Sequence, residues 1–349
     1  MSALLRPRHR SALVLALCAV LLLVFAAALA LGAARLPLDT LWLGLTGRAD
    51  RLPPLDQTVL LSIRLPRALA AVLVGAVLGL CGAAMQGLFR NPLADPGLIG
   101  VTGGAAFGAV LAVKFAATAL ASVSIFLGQL VLPACALAGA LLATAVMHRA
   151  SILEGRVVVA LMLLAGVGIN ALAGAGTGLV LFFAADDQLR QFTFWTLGSL
   201  AQVSWAKLGV ALPFVLPAAI LVPLHARALN ALLLGEAEAG HLGVDLARLK
   251  RHLVFATAAG VGAAVSIAGG IGFVGLVVPH LVRQTIGPDH RWLLPASALL
   301  GATLLLAADL LARTIAVPAE LPVGVVTAAL GAPVFFNLLR RGRRDRVFS

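Results

Sequence analysis

The chain has 349 residues, of which 61% are hydrophobic and only 11% are charged, and its mean hydropathy is +1.04. A soluble domain carries about 25% charged residues, so a chain this apolar needs the bilayer as its solvent. This composition excludes soluble enzymes, disordered chains and disulfide scaffolds. The net charge is +12, and the basic residues that produce it lie between the apolar runs. This distribution is typical of membrane topology signals and argues against a nucleic-acid partner.

Ten apolar runs follow one another, and most have the roughly 20 residues that a helix needs to cross the hydrocarbon core. Continuous apolar runs favour helices over the alternating strands of a membrane barrel. We therefore predict an all-α polytopic membrane protein with about ten transmembrane helices and a polar connection over residues 35–63. The first run is too long for the core of a signal peptide, which predicts an uncleaved helix. The runs lie near 11–34, 65–88, 97–118, 123–147, 157–183, 193–224, 253–270, 273–287, 292–312 and 322–339.

The basic residues predict the orientation. Both termini, the loop near Arg149 and Arg156, and the polar segment 225–252 are basic and fall on one side under a ten-span count. Because cytoplasmic loops are enriched in Lys and Arg, we expect both termini in the cytoplasm. Six arginines break this rule on the outer side, where they contact either headgroups or an acidic soluble partner: Arg35, Arg48, Arg51, Arg64, Arg67 and Arg313.

Few residues could couple transport to an ion gradient, because such transporters usually carry ionisable groups deep in their spans. Asp95 lies in a break between runs, Asp309 is placed to pair with Arg313 one helical turn later, and Glu320 precedes a helix start. None of the three lysines follows a glycine, so the chain has no phosphate-binding P-loop. Zinc-protease and serine-hydrolase motifs are also absent, which disfavours an intramembrane enzyme, and we expect no metal or catalytic residue.

The polar segment 225–252 predicts short helices outside the membrane. Gly235 ends a leucine-rich stretch, Glu236 and Glu238 open a second short helix that ends at residues 240–243, and Asp245 is placed to cap a third. We call residues 226–252 the knob. The pattern favours a docking surface for a cytosolic partner, and the alternative is a packed cytoplasmic loop.

Several motifs, in order along nearly the whole chain, resemble the FecCD-type permease subunit of ABC importers. They are Arg64–Arg67, Gly82–Pro96, Leu234–Glu236, Gly240–Val244, Gly272–His280, Asp289–Arg291, Glu320–Thr327 and Gly331–Pro333. The resemblance implies the type II ABC importer permease fold as a single domain over 1–349, in the bacterial inner membrane. It also implies a second copy of the chain as a homodimer partner, two cytoplasmic ATPase subunits that hold ATP and Mg, and a periplasmic substrate-binding protein.

The resemblance also assigns roles to residues. Arg64, Arg67 and Arg313 match arginines that receive carboxylates of the binding protein. The ATPase-coupling residues are Leu234, Gly235, Glu236, Gly240, His241, Leu242 and Gly243. The gate residues of the translocation path are Asn91, Leu93, Val159 and Ala160. The last two are apolar where a vitamin B12 importer has hydroxyl residues, which argues against that cargo.

Residues 186–200 resemble the haem-importing members more than the others. The predicted cargo is therefore haem, moved by alternating access along the axis of the homodimer. An iron–siderophore or vitamin B12 cargo is the alternative within the family. An ion-driven secondary transporter is the alternative outside it.

Overall fold

The computed structural model describes residues 7–32, 36–46, 48, 50, 52–116 and 118–347. In these ranges the regular secondary structure is helical except for one short hairpin, β1 (Ile152–Leu153) with β2 (Arg156–Val157), so the all-α prediction is confirmed. The helices are α1 (Pro7–Ala30), α2 (Leu38–Leu45), α3 (Pro54–Gln57), α4 (Leu65–Leu88), α5 (Val101–Phe115), α6 (Ala121–Leu127), α7 (Val131–Ala150), α8 (Val159–Phe182), α9 (Asp186–Thr196), α10 (Trp205–Leu224), α11 (Ala226–Leu232), α12 (Glu236–His241), α13 (Leu246–Ala268), α14 (Val274–Ile286), α15 (His290–Ala312) and α16 (Val323–Val347).

Within the described residues, seven helical segments are long and apolar enough to cross a membrane. They are Arg10–Ala30, Pro54–Leu88, Ala121–Ala150, Val159–Phe182, Trp205–Leu224, Leu246–Ala268 and His290–Ala312. Val101–Phe115 and Val323–Asn337 are shorter apolar helices, and α14 has 13 residues. These ten segments correspond in order to the ten predicted runs, although three of them are shorter than a full span.

Two predicted boundaries are wrong. The connection over 35–63 is not irregular throughout, because a helix begins at Pro54 and continues through a π-helical segment (Thr58–Arg64) into α4. Pro54 stands in the first turn, where its missing N–H costs no hydrogen bond. The run over 193–224 is two helices, because Gly198 has a φ of +74° and Ser204 starts α10 by accepting a hydrogen bond from the Lys207 N–H.

Small residues bring the central helices close together. Gly75 and Gly79 of α4 lie against the backbone of α15 at Gly301 and Ser297, and Gly82 lies against α14. A Cβ atom at any of these glycines would overlap a backbone carbonyl of the facing helix. This glycine face therefore allows the helices to approach closely, and α4 with α15 and α13 forms the buried centre of the molecule.

The long helices define two ends of the molecule. With 23 residues α13 is about 34 Å long. It begins beside the knob, and we call this the knob end. Gly87, near the end of α4, lies against the His290 ring at the start of α15, so both reach the knob end. Arg67 and Arg313, on the far turns of these helices, therefore lie at the opposite end.

Candidate functional site

The three arginines predicted to receive a binding protein lie together at the opposite end, with two carboxylates between them. Arg67 is central, since its Nε and Nη2 atoms each lie 3.0 Å from Asp309 Oδ1 and its Nη1 lies 2.8 Å from Glu320 Oε2. The Asp309 side chain is 1% exposed, whereas that of Glu320 is 42% exposed. We call Arg64, Arg67, Asp309, Arg313 and Glu320 the arginine cluster.

The other two arginines bind carbonyl groups at the end of α1. Arg64 Nη1 donates to the carbonyls of Leu29, at 2.6 Å, and Ala30, at 2.8 Å. Arg313 Nη2 donates to the Ala28 carbonyl. The last carbonyls of a helix lack intrahelical donors and carry the negative end of the helix dipole. The two guanidinium groups therefore cap α1 and hold it against α4 and α15.

All three arginines are buried and already have partners within the chain. The predicted pair between Asp309 and Arg313 is confirmed, with 3.8 Å between Oδ2 and Nε. Glu320 is the carboxylate of the cluster that reaches the surface, and the docking role of the arginines stays a prediction. Of the remaining predicted outer arginines, Arg48 is exposed, whereas Arg35 and Arg51 lie outside the described residues.

A cavity of about 800 Å³ opens beside the arginine cluster. Helix α9 supplies Phe194 and Trp195 to its lining, and the start of α10 supplies Lys207, whose ammonium group donates to the Gln202 carbonyl at 2.9 Å. Glu320 lies in both the cavity lining and the cluster. The opposite end therefore combines a concave surface with an exposed carboxylate held by a buried arginine.

The knob has the helices that the sequence predicts. Helices α11 and α12 are separated at Gly235, and Asp245 caps α13 by accepting a hydrogen bond from the Arg248 N–H at 2.9 Å. Leucine and alanine side chains on the inner faces are buried, but Leu234 and Leu242 are each 65% exposed. The knob therefore presents two large apolar side chains at its surface, and its role in contacting an ATPase subunit stays a prediction.

A polar network attaches α11 to the start of α15. Asn230 Nδ2 donates to Asp289 Oδ1 at 2.7 Å, and Asn230 Oδ1 accepts the His290 N–H at 2.8 Å. Burial raises the pKa of Asp289, but hydrogen bonds from Arg291 and Asn230 outweigh it and hold this pKa at about 2. The carboxylate therefore stays charged and the attachment persists at neutral pH.

The predicted gate residues come from two segments near the knob end. Asn91 Oδ1 accepts the Leu93 N–H at 2.9 Å in the turn after α4, and the Leu93 side chain is 39% exposed. Val159 is the first residue of α8, and Ala160 beside it is exposed. Asn170 of α8 donates to the Gly97 carbonyl at 3.0 Å, which attaches this helix to the segment after the turn. The gating role of these four residues stays a prediction.

Helix α8 leaves one apolar face uncovered along its whole length. A stripe at alternating spacings of four and three residues is exposed and consists of Leu164, Gly168, Ala171, Ala175, Gly178 and Phe182. Cβ atoms added at Gly168 and Gly178 would meet no neighbouring atom. Contact with lipid does not need small residues, whereas glycine and alanine allow the backbone of another helix to approach closely. This stripe is therefore suited to packing against a second helix.

A bundle of helices long and apolar enough to span a membrane, with a folded polar knob at one end and a charged, concave surface at the other, is the architecture expected of a multi-pass transport permease. The chain belongs to the FecCD transport family, whose sequence profile matches residues 20–341. It is an ABC importer permease of that family. This confirms the resemblance on which the predicted fold rests.

Named relatives of the chain carry different cargos. The hemin transport system permease protein of Yersinia pestis is 46% identical over 90% of this chain and 91% of its own length. The cobalamin import system permease protein of Halobacterium salinarum is 43% identical over 82% of this chain and 75% of its own. The vitamin B12 import system permease protein of Vibrio cholerae is 44% identical over 82% of this chain and 84% of its own length.

A solved structure shares the fold. It is described as an inward-facing conformation of a metal-chelate type ABC transporter. Its TM-score is 0.82 at 32% identity, over 94% of this chain and 98% of that one. The overall helix arrangement is therefore shared with that structure.

Sequence reasoning missed the partners that join distant segments. It treated Asp309 and Glu320 separately, although both bind Arg67, and it assigned no role to Asn230 or Lys250. One signal was available, since Lys250 is one of only three lysines in the chain.

Proposed function

We propose that the chain is the permease subunit of an ATP-driven importer of haem. The observation that favours haem as the cargo is the 46% identity to the hemin permease of Yersinia pestis over 90% of the chain. The vitamin B12 relatives, at 42–44% identity, make cobalamin the second candidate. An iron–siderophore is the third cargo of the family to be compared.

The chemistry of α8 supports haem over cobalamin. The helix has no charged residue, and its two polar side chains, Asn170 and Thr177, are engaged with the segment after α4 or buried. An apolar surface without ligating side chains lets an apolar macrocycle pass without trapping it. The amide-rich periphery of cobalamin would lose hydrogen bonds along the same surface.

We propose that two copies pack through the small-residue stripe of α8 and form the path at their common axis. The knob binds a separate ATPase subunit that holds ATP and Mg, and the opposite end receives a periplasmic binding protein. The subunit then lies in the bacterial inner membrane with both termini in the cytoplasm. It carries out no chemistry itself and binds no cofactor.

Docking at the arginine cluster is testable because Arg67 already holds Glu320. A carboxylate of the binding protein would have to displace Glu320, so Glu320→Gln should raise the affinity of the binding protein several-fold. The gain should shrink at high salt, which screens exposed charges. Unchanged affinity would show that Arg67 is not the receptor. Asp186→Asn, which removes an exposed carboxylate outside the cluster, is the control.

The experiment for the whole proposal is uptake into proteoliposomes that contain the chain, its ATPase and its binding protein, with ATP inside. Haem, a ferric siderophore and cobalamin are compared as cargo. ATP-dependent uptake of haem alone is expected. Uptake of cobalamin or the siderophore would overturn the assignment of haem as the cargo. Uptake driven by a proton gradient without ATP would overturn the assignment to ATP-driven importers.

A further inference from the structure

Lys250 joins two parts of the knob end to which separate roles are proposed. Its ammonium group lies 2.9 Å from Glu236 Oε2 on α12 and donates to the Val157 carbonyl, also at 2.9 Å. The residue is only 4% exposed, although it stands on the first turns of α13. One buried cation therefore bridges the knob and the hairpin that precedes α8.

The acceptor on the hairpin is directly continuous with α8. Val157 pairs with Ile152 across the two strands, and the Val158 N–H donates to the Ser151 carbonyl at 3.0 Å. Val159 then begins the helix. A displacement of the Val157 carbonyl is therefore a displacement of the first turn of α8, since only Val158 lies between Val157 and the start of the helix.

The two helices of the knob are attached to different parts of the molecule. Asn230 holds α11 to the start of α15, which packs tightly on α4 in the buried centre. Glu236 holds α12, through Lys250, to the start of α8, whose residues are exposed or half-buried except for Met162, Gly166 and Thr177. A force on the knob therefore meets a rigid support through α11 and, through α12, a helix that packs less completely against the rest of its own subunit.

We propose that Lys250 is the positioning residue that transmits movement of α12 to the cytoplasmic end of α8. This inference rests on the proposed function, in which the knob binds the ATPase and α8 lines the path. Glu236 is 46% exposed, so a partner seated on the knob reaches it directly. When Glu236 moves, the ammonium group must follow, because a buried cation that loses its carboxylate is left unpaired at high cost.

The direction of transmission follows from the strength of the two bonds. In the hydrogen bond to Glu236 both the donor and the acceptor are charged, whereas in the hydrogen bond to the Val157 carbonyl only the donor is charged. Lys250 therefore stays with Glu236 and pulls the hairpin with it. The long methylene stem of lysine keeps both contacts over a short displacement, which a shorter side chain would not allow.

The experiment compares Lys250→Met with Lys250→Arg in the assembled transporter, in proteoliposomes with ATP inside. Methionine keeps the apolar stem and removes every donor, whereas arginine keeps donors for both acceptors. Lys250→Met should lower cargo uptake at least tenfold while ATP hydrolysis falls less than twofold. Lys250→Arg should restore at least half of the uptake. Hydrogen exchange of residues 150–162 provides the structural readout, because its ATP-dependent change should disappear in Lys250→Met.

Glu236→Gln and Glu238→Gln form a matched pair on α12, since the two carboxylates are two residues apart and only Glu236 is bonded to Lys250. Glu236→Gln should raise the ATP consumed per cargo more than Glu238→Gln does. Normal uptake in Lys250→Met would overturn the inference, and so would a proportional loss of uptake and hydrolysis that arginine does not rescue. Failure of the proposed function is separate, because the wild-type complex would then show no ATP-dependent uptake at all.

Discussion

The two carboxylates on Arg67 should differ sharply in their contribution to stability. Asp309→Asn and Glu320→Gln each remove one negative charge and keep the shape of the side chain. Asp309 is 1% exposed, so its loss leaves Arg67 and Arg313 short of a buried counter-charge. Removing one partner of a buried pair costs about 3–5 kcal/mol. Glu320 is 42% exposed, and an ion pair in contact with water contributes about 0–1 kcal/mol.

The assay is unfolding by sodium dodecyl sulfate in mixed micelles, followed by fluorescence of the four tryptophans. Asp309→Asn should lower the free energy of unfolding by about 3 kcal/mol or more, and Glu320→Gln by less than about 1 kcal/mol. The comparison is internal, because both variants act on the same guanidinium group. An equal loss of unfolding free energy in the two variants would refute the argument that burial decides how much each ion pair contributes to stability.

Three further predictions concern packing, pH and coupling. Gly79→Ala should lower the thermal midpoint in detergent because its Cβ overlaps the backbone of α15, whereas Gly209→Ala in α10, which meets open space, should not; equal midpoints would contradict the packing. The pKa of Asp289 is about 2, below its ordinary value of 3.8, so its contribution to stability is present above pH 4 and is lost as the pH falls towards 2. The difference in midpoint between wild type and Asp289→Asn should shrink over that window, and a constant difference would exclude the carboxylate as its source. Leu242→Ser, at a side chain that is 65% exposed, should weaken binding of the ATPase subunit in a pull-down without changing the midpoint, and undiminished binding would remove Leu242 from the contact.

The hydropathy of the sequence determined the helical architecture, because the bilayer forces each apolar run to satisfy its backbone hydrogen bonds within itself. The knob was predictable for a similar local reason. Gly235 separates α11 from α12 and Asp245 caps α13, and both signals act within four residues of the structure that they produce. Boundaries were less secure where local signals conflict, as at Pro54, which opens a helix that the sequence suggested was a polar connection.

Tertiary structure decided which charged residues meet. Arg67 and Asp309 are 242 residues apart in sequence, and Lys250 lies 93 residues from the carbonyl that it binds. No periodicity encodes such pairs, because they depend on how α4, α13 and α15 cross rather than on any one helix. The same is true of α8, whose hydropathy resembles that of any other span. Only the packing of the other helices leaves its glycine face uncovered, and that face supports the proposed packing of two copies.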